Sequence, residues 1–153
     1  MALYLVQHGK ALSKEIDPEK GLSDEGKVEV RHIAEVACRY CVRPAKIRHS
    51  GKKRAHQTAD IFASVLEPSG GVQKMAGINA LDNPMALAPD LQSGDNIMLV
   101  SHLPFLEKLT SGLTAGLPEI RVFKFQNGGI VCLDREEDDS SWFIRWSLMP
   151  KIG

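Results

Sequence analysis

The chain has 153 residues, 19 basic and 19 acidic side chains, and a formal net charge of zero. This length is typical of one domain that buries its own core, so we expect a single domain over residues 1–153. The balanced charge argues against a nucleic-acid-binding protein, and the absence of a long apolar run or a basic leader argues against a membrane span or a signal peptide.

The first half of the chain predicts two strand–helix units. The run ALYLV (2–6) is β-branched and aromatic, which predicts a buried strand, and KIRHS (46–50) predicts a second short strand. Helices are predicted over residues 21–41 and 53–67, where apolar side chains recur with helical spacing. Pro and Gly residues after position 67 end the second helix.

Both predicted helices have a clear apolar face. Ser23 is placed to cap the first helix, and Asp24 and Glu25 favour the positive end of its dipole. The stripe expected to be buried on the first helix is Val30, Ile33, Ala34, Ala37, Cys38 and Cys41. The corresponding face of the second helix is Ala55, Ala59, Phe62 and Leu66.

The middle of the chain is less regular until a strong apolar run. Residues 72–75 predict a short strand, and residues 79–94 predict a loop with one helical turn. Residues 96–102 predict a buried strand, followed by a helix over 105–113 with Pro104 at its first position. The side chains expected to point inward from that helix are Phe105, Leu106, Leu109 and Leu113.

The last thirty residues predict strands. These cover 121–126, 128–134 and 142–148, and the hairpin turn is expected at Asp138, Asp139, Ser140 and Ser141. Alternating strands and helices followed by a β-rich end predict a three-layer α/β/α fold with a mostly parallel central sheet and a C-terminal hairpin. Ligands of such sheets bind at the carboxyl ends of the strands.

Three cysteines, Cys38, Cys41 and Cys132, favour a reducing compartment, and we expect a cytoplasmic protein. Cys38 and Cys41 form a C-x-x-C pattern near the end of a predicted helix. A redox pair of this kind works at a helix N-terminus, where the dipole stabilises a thiolate, and a zinc site needs two more close ligands. Packing on a helix face is therefore the favoured interpretation.

Polar side chains follow three predicted strands at their carboxyl ends. Gln7, His8 and Gly9 follow the first strand and His102 follows the strand at 96–100. The segment Ser50, Gly51, Lys52, Lys53 and Arg54 follows the second strand and opens a helix. Arginine and the backbone N–H groups at a helix start bind anions, so two histidines beside them indicate phosphoryl chemistry. Neither a P-loop, a dinucleotide-binding glycine motif nor a serine elbow is present in the sequence.

At these residues the sequence resembles the histidine phosphatase superfamily, in the short bacterial branch of SixA-like phosphohistidine phosphatases. LYLVQHGKA resembles the N-terminal strand and R-H-G motif of the family, and GLSDEGKVEV its P-L-[ST]-x-x-G helix start. SGKKRAHQTADIFA resembles the segment S-P-x-x-R-A-x-Q-T-A, and IMLVSHLPFLEKLTSGL the segment V-G-H-x-P. The C-terminal hairpin matches as well, so the resemblance covers nearly the whole chain and implies a phosphoglycerate mutase-like fold.

The resemblance implies that His8 is the nucleophile and becomes phosphorylated, while Arg54 and His102 stabilise the phosphoryl group. Gln7, Gly9 and Ser50 are then expected to bind substrate together with Arg54. The implied substrate is a phosphohistidine on a signalling or phosphocarrier protein, with phosphate as the ligand and neither metal nor organic cofactor. Three carboxylates, Asp82, Asp90 and Asp95, are candidates for a general acid.

Gln7 stands where the family has arginine, which removes a charge and a forked donor. Loss of a charged hydrogen bond costs about 1.5–3 kcal/mol, and Lys10, Lys52 or Lys53 are candidates to replace the charge. An alternative function is therefore a catalytically impaired relative that binds phosphate or a phosphoprotein. A third hypothesis is a phosphatase of a small molecule. Ser101 for glycine and Gly51 for proline are smaller departures, expected to leave the pocket intact.

Overall fold

The computed structural model describes residues 2–138 and 140–152, which form one six-stranded sheet with helices on both faces. The strands are β1 (Leu3–Gln7), β2 (Lys46–His49), β3 (Val72–Lys74), β4 (Ile97–Ser101), β5 (Ile130–Arg135) and β6 (Trp142–Leu148). The helices are α1 (Asp24–Arg39), α2 (Lys53–Leu66), α3 (Pro84–Leu87) and α4 (Phe105–Ala115), with short 3-10 turns at Ala88–Asp90 and Ser93–Asp95. No helix in the described ranges is both long and apolar enough to cross a membrane.

The strand order is β3-β2-β4-β1-β5-β6. The four strands from β3 to β1 pair in parallel, whereas β5 and β6 form an antiparallel hairpin at one side. This confirms the predicted three-layer fold with a mostly parallel sheet and a C-terminal hairpin. Because β1 and β2 both lie next to β4, the carboxyl ends of these three strands meet at one edge of the sheet.

Each face of the sheet has its own apolar core, since successive side chains of a strand point to opposite faces. On one face, Phe62 of α2 and the α1 stripe pack on Val6 and Val100. On the other face, Phe105 and Leu109 of α4 pack against the apolar strand side chains that point to that face. Covering both faces explains why β1 and β4 read as nearly continuous apolar runs.

The first two helices match their predicted faces, with one correction. Ser23 caps α1 and accepts a hydrogen bond from the Gly26 backbone N–H at 3.0 Å. The helix ends at Arg39, so Cys41 lies beyond it, exposed and in a left-handed conformation with φ of 61°. The expectation that Cys41 belongs to the buried stripe is therefore wrong, although Cys38 packs partly buried against the core. The predicted face of α2 is fully buried.

In the second half of the chain two further predictions are wrong, and a third falls partly outside the described residues. Residues 121–126 are not a strand: the segment belongs to none of the six strands of the sheet and instead packs Phe125 into the core. Pro104 is the N-cap of α4 and not its first helical residue. The predicted hairpin turn includes Asp139, which lies outside the described residues. The short strand near 72–75 is confirmed. The segment 79–94 is more helical than the one turn expected, since α3 is followed by the two 3-10 turns.

Candidate active site

The carboxyl ends of β1, β2 and β4 bring four of the predicted site residues together. The rings of His8 and His102 lie 5.0 Å apart between centroids. Arg54 Nε donates a hydrogen bond to His8 Nε2 at 3.3 Å, and Ser50 Oγ lies 2.6 Å from His102 Nε2. The segments that supply these side chains are up to 94 positions apart in the sequence, and the parallel register of the strands joins them.

His8 is held as a neutral ring with one nitrogen free to accept. Its Nδ1 lies 2.7 Å from the Gly9 carbonyl oxygen, and because a carbonyl only accepts, Nδ1 carries the proton. Nε2 accepts from Arg54, so it carries no proton and its lone pair points to the guanidinium. Burial lowers the pKa of His8 from 6.5 to about 4, and the charges of Arg54 and Lys20 act in the same direction. A neutral imidazole with an unprotonated Nε2 is a competent nucleophile at pH 7.

His102 is 3% exposed and also neutral. Burial lowers its pKa to about 3, with His8, Arg54, Lys52 and Lys20 adding in the same direction. Ser50 Oγ accepts from the Lys52 backbone N–H at 3.4 Å and carries a proton that it can donate to His102 Nε2. In the tautomer that accepts this proton, Nδ1 carries the N–H, and Nδ1 is buried with no hydrogen-bond partner among the described residues. A phosphoryl oxygen is the type of acceptor that this N–H lacks.

The turn that carries His8 is fixed by its backbone. The His8 N–H donates to the Ser101 carbonyl at 3.0 Å, and the His8 carbonyl accepts from Asn127 Nδ2 at 3.0 Å. Gly9 has no room for a side chain, because a Cβ there would lie 2.7 Å from Val30 Cγ2. Sequence reasoning missed Asn127, since its contact with His8 spans 119 positions and no local pattern announces it.

Thr58 ties this turn to the helix that carries Arg54. It is completely buried, its Oγ1 accepts from the Gly9 N–H at 2.9 Å, and it donates to the Arg54 carbonyl at 2.7 Å. Its neighbour Gln57 accepts from the Leu22 N–H at 2.7 Å. These contacts give a physical role to the Q-T pair of the segment that resembles Q-T-A, although sequence reasoning did not single out Thr58.

The lysines around the pocket differ from the sequence expectation. Two of the three candidates for replacing the missing arginine are engaged elsewhere, because Lys10 pairs with Glu25 at 2.6 Å and Lys53 pairs with Asp17 at 2.8 Å. The third, Lys52, acts electrostatically on His102.

A fourth lysine, Lys20, acts on both His8 and His102 and lowers both pKa values. It is half-buried and takes a left-handed conformation, with φ of 53°. Its position just before the segment that resembles P-L-[ST]-x-x-G was a signal that sequence reasoning did not use. Lys20 therefore contributes positive charge to the surroundings of the two histidines.

Gln7 ends β1 beside Ser101, next to the nucleophile candidate. Its Oε1 is buried and has no hydrogen-bond partner within the described ranges. Ser101 is buried and donates to the Ile78 carbonyl, so its hydroxyl is occupied. Gly51 has φ of +94°, which proline cannot adopt, so the loop after β2 has a path that the family's proline would not allow.

Among the described residues, no hydrogen bond or ion pair joins the three candidate general acids to the histidines. Asp82 accepts from the Asn79 N–H at 2.7 Å, in a turn that follows Ile78, whose carbonyl accepts from Ser101 at the end of β4, and Asp90 is exposed on a 3-10 turn. Asp95 precedes β4 and so lies at the opposite edge of the sheet. No cluster of three or more His, Cys, Asp or Glu side chains suited to a metal ion occurs in the part of the chain that the structure describes.

Several solved structures share this architecture. The protein histidine phosphatase SixA, solved with tungstate, has 21% identity and a TM-score of 0.83, with 98% of this chain and 97% of that chain covered. A candidate phosphohistidine phosphatase SixA from Agrobacterium tumefaciens has 24% identity, a TM-score of 0.73 and 97% of each chain covered. A phosphoserine phosphatase from Entamoeba histolytica, in complex with 3-phosphoglyceric acid, has 16% identity, a TM-score of 0.71 and 96% of each chain covered.

These likenesses confirm the resemblance at the level of the fold. The chain has a phosphoglycerate mutase-like α/β fold, and it matches the two SixA structures over nearly its full length. No protein-family model matches the sequence, and no curated protein matches it either.

Proposed function

We propose that this chain is a phosphatase that removes the phosphoryl group from a phosphohistidine of a signalling or phosphocarrier protein. His8 is the nucleophile, Arg54 and His102 stabilise the phosphoryl group, and Gln7, Gly9 and Ser50 complete the binding site. The likeness in fold to SixA structures supports the class of substrate. We also propose a cytoplasmic location, which the three free cysteines support.

The reaction has two steps. The substrate phosphohistidine binds with a proton on its other ring nitrogen. His8 Nε2 attacks the phosphorus, the phosphorus–nitrogen bond of the substrate breaks, and the substrate ring leaves as a neutral imidazole that keeps this proton. Water then attacks the phosphorus on His8, which releases inorganic phosphate and restores the neutral ring. Arg54 leaves His8 Nε2 as substrate binds and donates instead to the phosphoryl oxygens, where its charge stabilises the transition state.

Support for this chemistry comes above all from the state of His8. Its proton is fixed on Nδ1 by the Gly9 carbonyl, and its Nε2 faces a guanidinium within hydrogen-bond distance. The unpartnered, buried Nδ1 of His102 lies beside it and is a donor in the tautomer whose Nε2 accepts from Ser50. A nucleophile, a cation and a free donor in one place are the groups that phosphoryl transfer requires.

The test is a time course with a phosphohistidine-bearing phosphocarrier protein, using the wild-type chain and His8→Ala. We expect the wild type to release phosphate over many equivalents and to acquire a phosphoryl label, and His8→Ala to do neither. His32→Ala is the matched control, because His32 is exposed on α1 and away from the strand ends. Turnover that survives His8→Ala would overturn the assignment of the nucleophile.

Gln7 favours a second candidate function, a non-catalytic phosphate- or phosphoprotein-binding module. Its uncharged amide replaces a family arginine, and its Oε1 is an acceptor that cannot bind a phosphoryl oxygen. Binding without turnover by the wild type, together with turnover by Gln7→Arg, would support this second function. A charged hydrogen bond of about 1.5–3 kcal/mol corresponds to a gain of about 10- to 150-fold in rate for Gln7→Arg.

A further inference from the structure

A second pair of histidines lies behind the loop that carries Ser50. His49 is the last residue of β2, is 5% exposed, and stacks on His56 of α2 with 4.3 Å between ring centroids and 6° between planes. The Gly51 backbone N–H donates to His49 Nδ1 at 3.1 Å. Because Nδ1 accepts, this ring is neutral and carries its proton on Nε2.

The bond between His49 and Gly51 closes the loop from Ser50 to Lys52. Gly51 has φ of +94°, and its N–H is a donor that a proline at this position would lack. On either side of it, Ser50 Oγ lies 2.6 Å from His102 Nε2 and accepts from the Lys52 N–H. Lys52 is also the N-cap of α2, the helix that carries Arg54. The loop therefore connects His49 to Ser50 and, through Lys52, to the helix that carries Arg54.

Charges from two elements act on His49. His56 and Asp60 come from α2, where His56 Nε2 lies 3.4 Å from Asp60 Oδ2, and Lys74 comes from β3. Burial lowers the pKa of His49, His56 and Lys74 lower it further, and Asp60 opposes them. The ring is therefore neutral at pH 7 and becomes protonated only on the acid side. A protonated Nδ1 would face the Gly51 N–H with a second N–H, so the bond could not persist.

We propose that His49 is a positioning residue whose neutral ring holds the Ser50–Lys52 loop, and whose protonation releases that loop and loosens the contact of Ser50 with His102. This inference rests on the proposed function in one respect, namely that the pocket beside the loop binds the phosphoryl group. His49 touches none of the reacting groups and acts through Gly51 and Ser50.

The test is an NMR titration from pH 7.5 to 5 that follows the Gly51 amide and the His49 and His102 ring signals. Three chains are compared with the wild type. His49→Asn keeps an acceptor for the Gly51 N–H but cannot titrate, His49→Phe keeps a flat ring but removes the acceptor, and His32→Asn is the exposed control. The affinity for sulfate, which keeps its charge over this pH range, is measured in parallel at pH 7.5 and at pH 5.

In the wild type and in His32→Asn, we expect the Gly51 and His102 signals to shift with the midpoint of His49, below pH 6.5. In His49→Asn that shift should be lost, and sulfate affinity at pH 5 should exceed that of the wild type. In His49→Phe the His102 signal should resemble the acid form at every pH. If His102 stays constant while His49 titrates, or if His49→Asn follows the wild-type curve, the proposal is wrong. Neither readout needs turnover, so an inactive enzyme would count against the proposed function alone.

Discussion

At the level of single residues, Gln7 carries no charge beside the nucleophile candidate, while Lys20, in the loop between β1 and α1, is the smallest of the charges that act on both histidines. We expect Lys20→Gln to raise the pKa values of His8 and His102 slightly, because a positive charge that disfavours their protonation is removed. Turnover should fall by at most about tenfold, since the structure shows no hydrogen bond between Lys20 and either ring among the described residues.

The pKa values of the histidines in Lys20→Gln are measured by NMR titration of the rings. Turnover is measured separately with the phosphocarrier substrate. Lys27→Gln is the matched control, since Lys27 is exposed on α1 and is not among the charges acting on either histidine. Equal histidine pKa values in Lys20→Gln and the wild type would contradict the role given to Lys20.

A second feature at the level of single residues is that the Thr58 hydroxyl both donates and accepts a hydrogen bond. Thr58 and Thr110 are both buried helical threonines that donate to the carbonyl four positions earlier. Only Thr58 also accepts from another segment, the Gly9 N–H. We expect Thr58→Val to lower the free energy of unfolding by about 1–3 kcal/mol more than Thr110→Val, because Gly9 keeps a buried donor without a partner.

Chemical denaturation of the two variants and of Thr58→Ser measures this difference. Thr58→Ser retains the hydroxyl and should recover most of the loss, and it should also recover turnover, since Arg54 and Gly9 are again joined. A Thr58→Val chain as stable as Thr110→Val would show that the bond to Gly9 contributes little.

At the level of elements, the start of α1 illustrates how a local motif and a distant contact combine. Gly26 lies in the first turn of α1, and a Cβ there would clash with the Lys10 backbone. Alanine would otherwise favour the helix by about 1 kcal/mol over glycine. We expect the clash to prevail in Gly26→Ala, with a net loss of about 1–3 kcal/mol in the free energy of unfolding.

Gly94→Ala provides the comparison for that variant, because a Cβ at Gly94 meets no atom within 4 Å. Thermal and chemical unfolding of both chains should show a large loss only for Gly26→Ala. A more stable Gly26→Ala chain would mean that the loop around Lys10 moves away at little cost.

The elements also show what a sequence can and cannot predict. The strands β1 and β4 and the helices α1 and α2 follow from local patterns, and each lies within about three residues of its prediction. The segment 121–126 alternates like a strand but does not join the sheet, although β6 stands at the end of the strand order, so alternation alone does not decide which segments pair. His8 and Arg54 stand in local motifs, whereas the contact of Asn127 with His8 and the ion pair of Lys53 with Asp17 depend on the folded loops.

At the level of the whole molecule, the sheet order explains why the site can be assembled from separate segments. β4 lies between β2 and β1, so His102 stands between Ser50 on one side and His8 on the other. At these strand ends His49 and His102 are buried and His8 is half-buried. This burial lowers the pKa values of all three rings and keeps them neutral, which couples the chemistry of the site to the stability of the fold.

That coupling predicts how stability depends on pH. In the unfolded chain these histidines bind protons below about pH 6.5, whereas in the folded chain His8 and His102 do so only near pH 4 and pH 3. Between these limits the unfolded state binds more protons, so the free energy of unfolding should fall as the pH decreases from about 6.5 toward 4. Above pH 7 these histidines are neutral in both states, so they should not make the free energy of unfolding depend on pH.

Urea unfolding at pH 8, 7, 6 and 5 tests this, using the wild type, His102→Gln and the exposed control His32→Asn. At pH 5 each buried histidine that stays neutral costs about 2 kcal/mol relative to pH 8, since each pH unit below 6.5 is worth about 1.4 kcal/mol. His102→Gln should lose less stability on acidification than the wild type, because one such group is gone, and His32→Asn should match the wild type. Parallel curves for all three chains would mean that His102 is accessible to protons in the folded state, and its proposed role as a neutral donor to the phosphoryl group would then have to be abandoned.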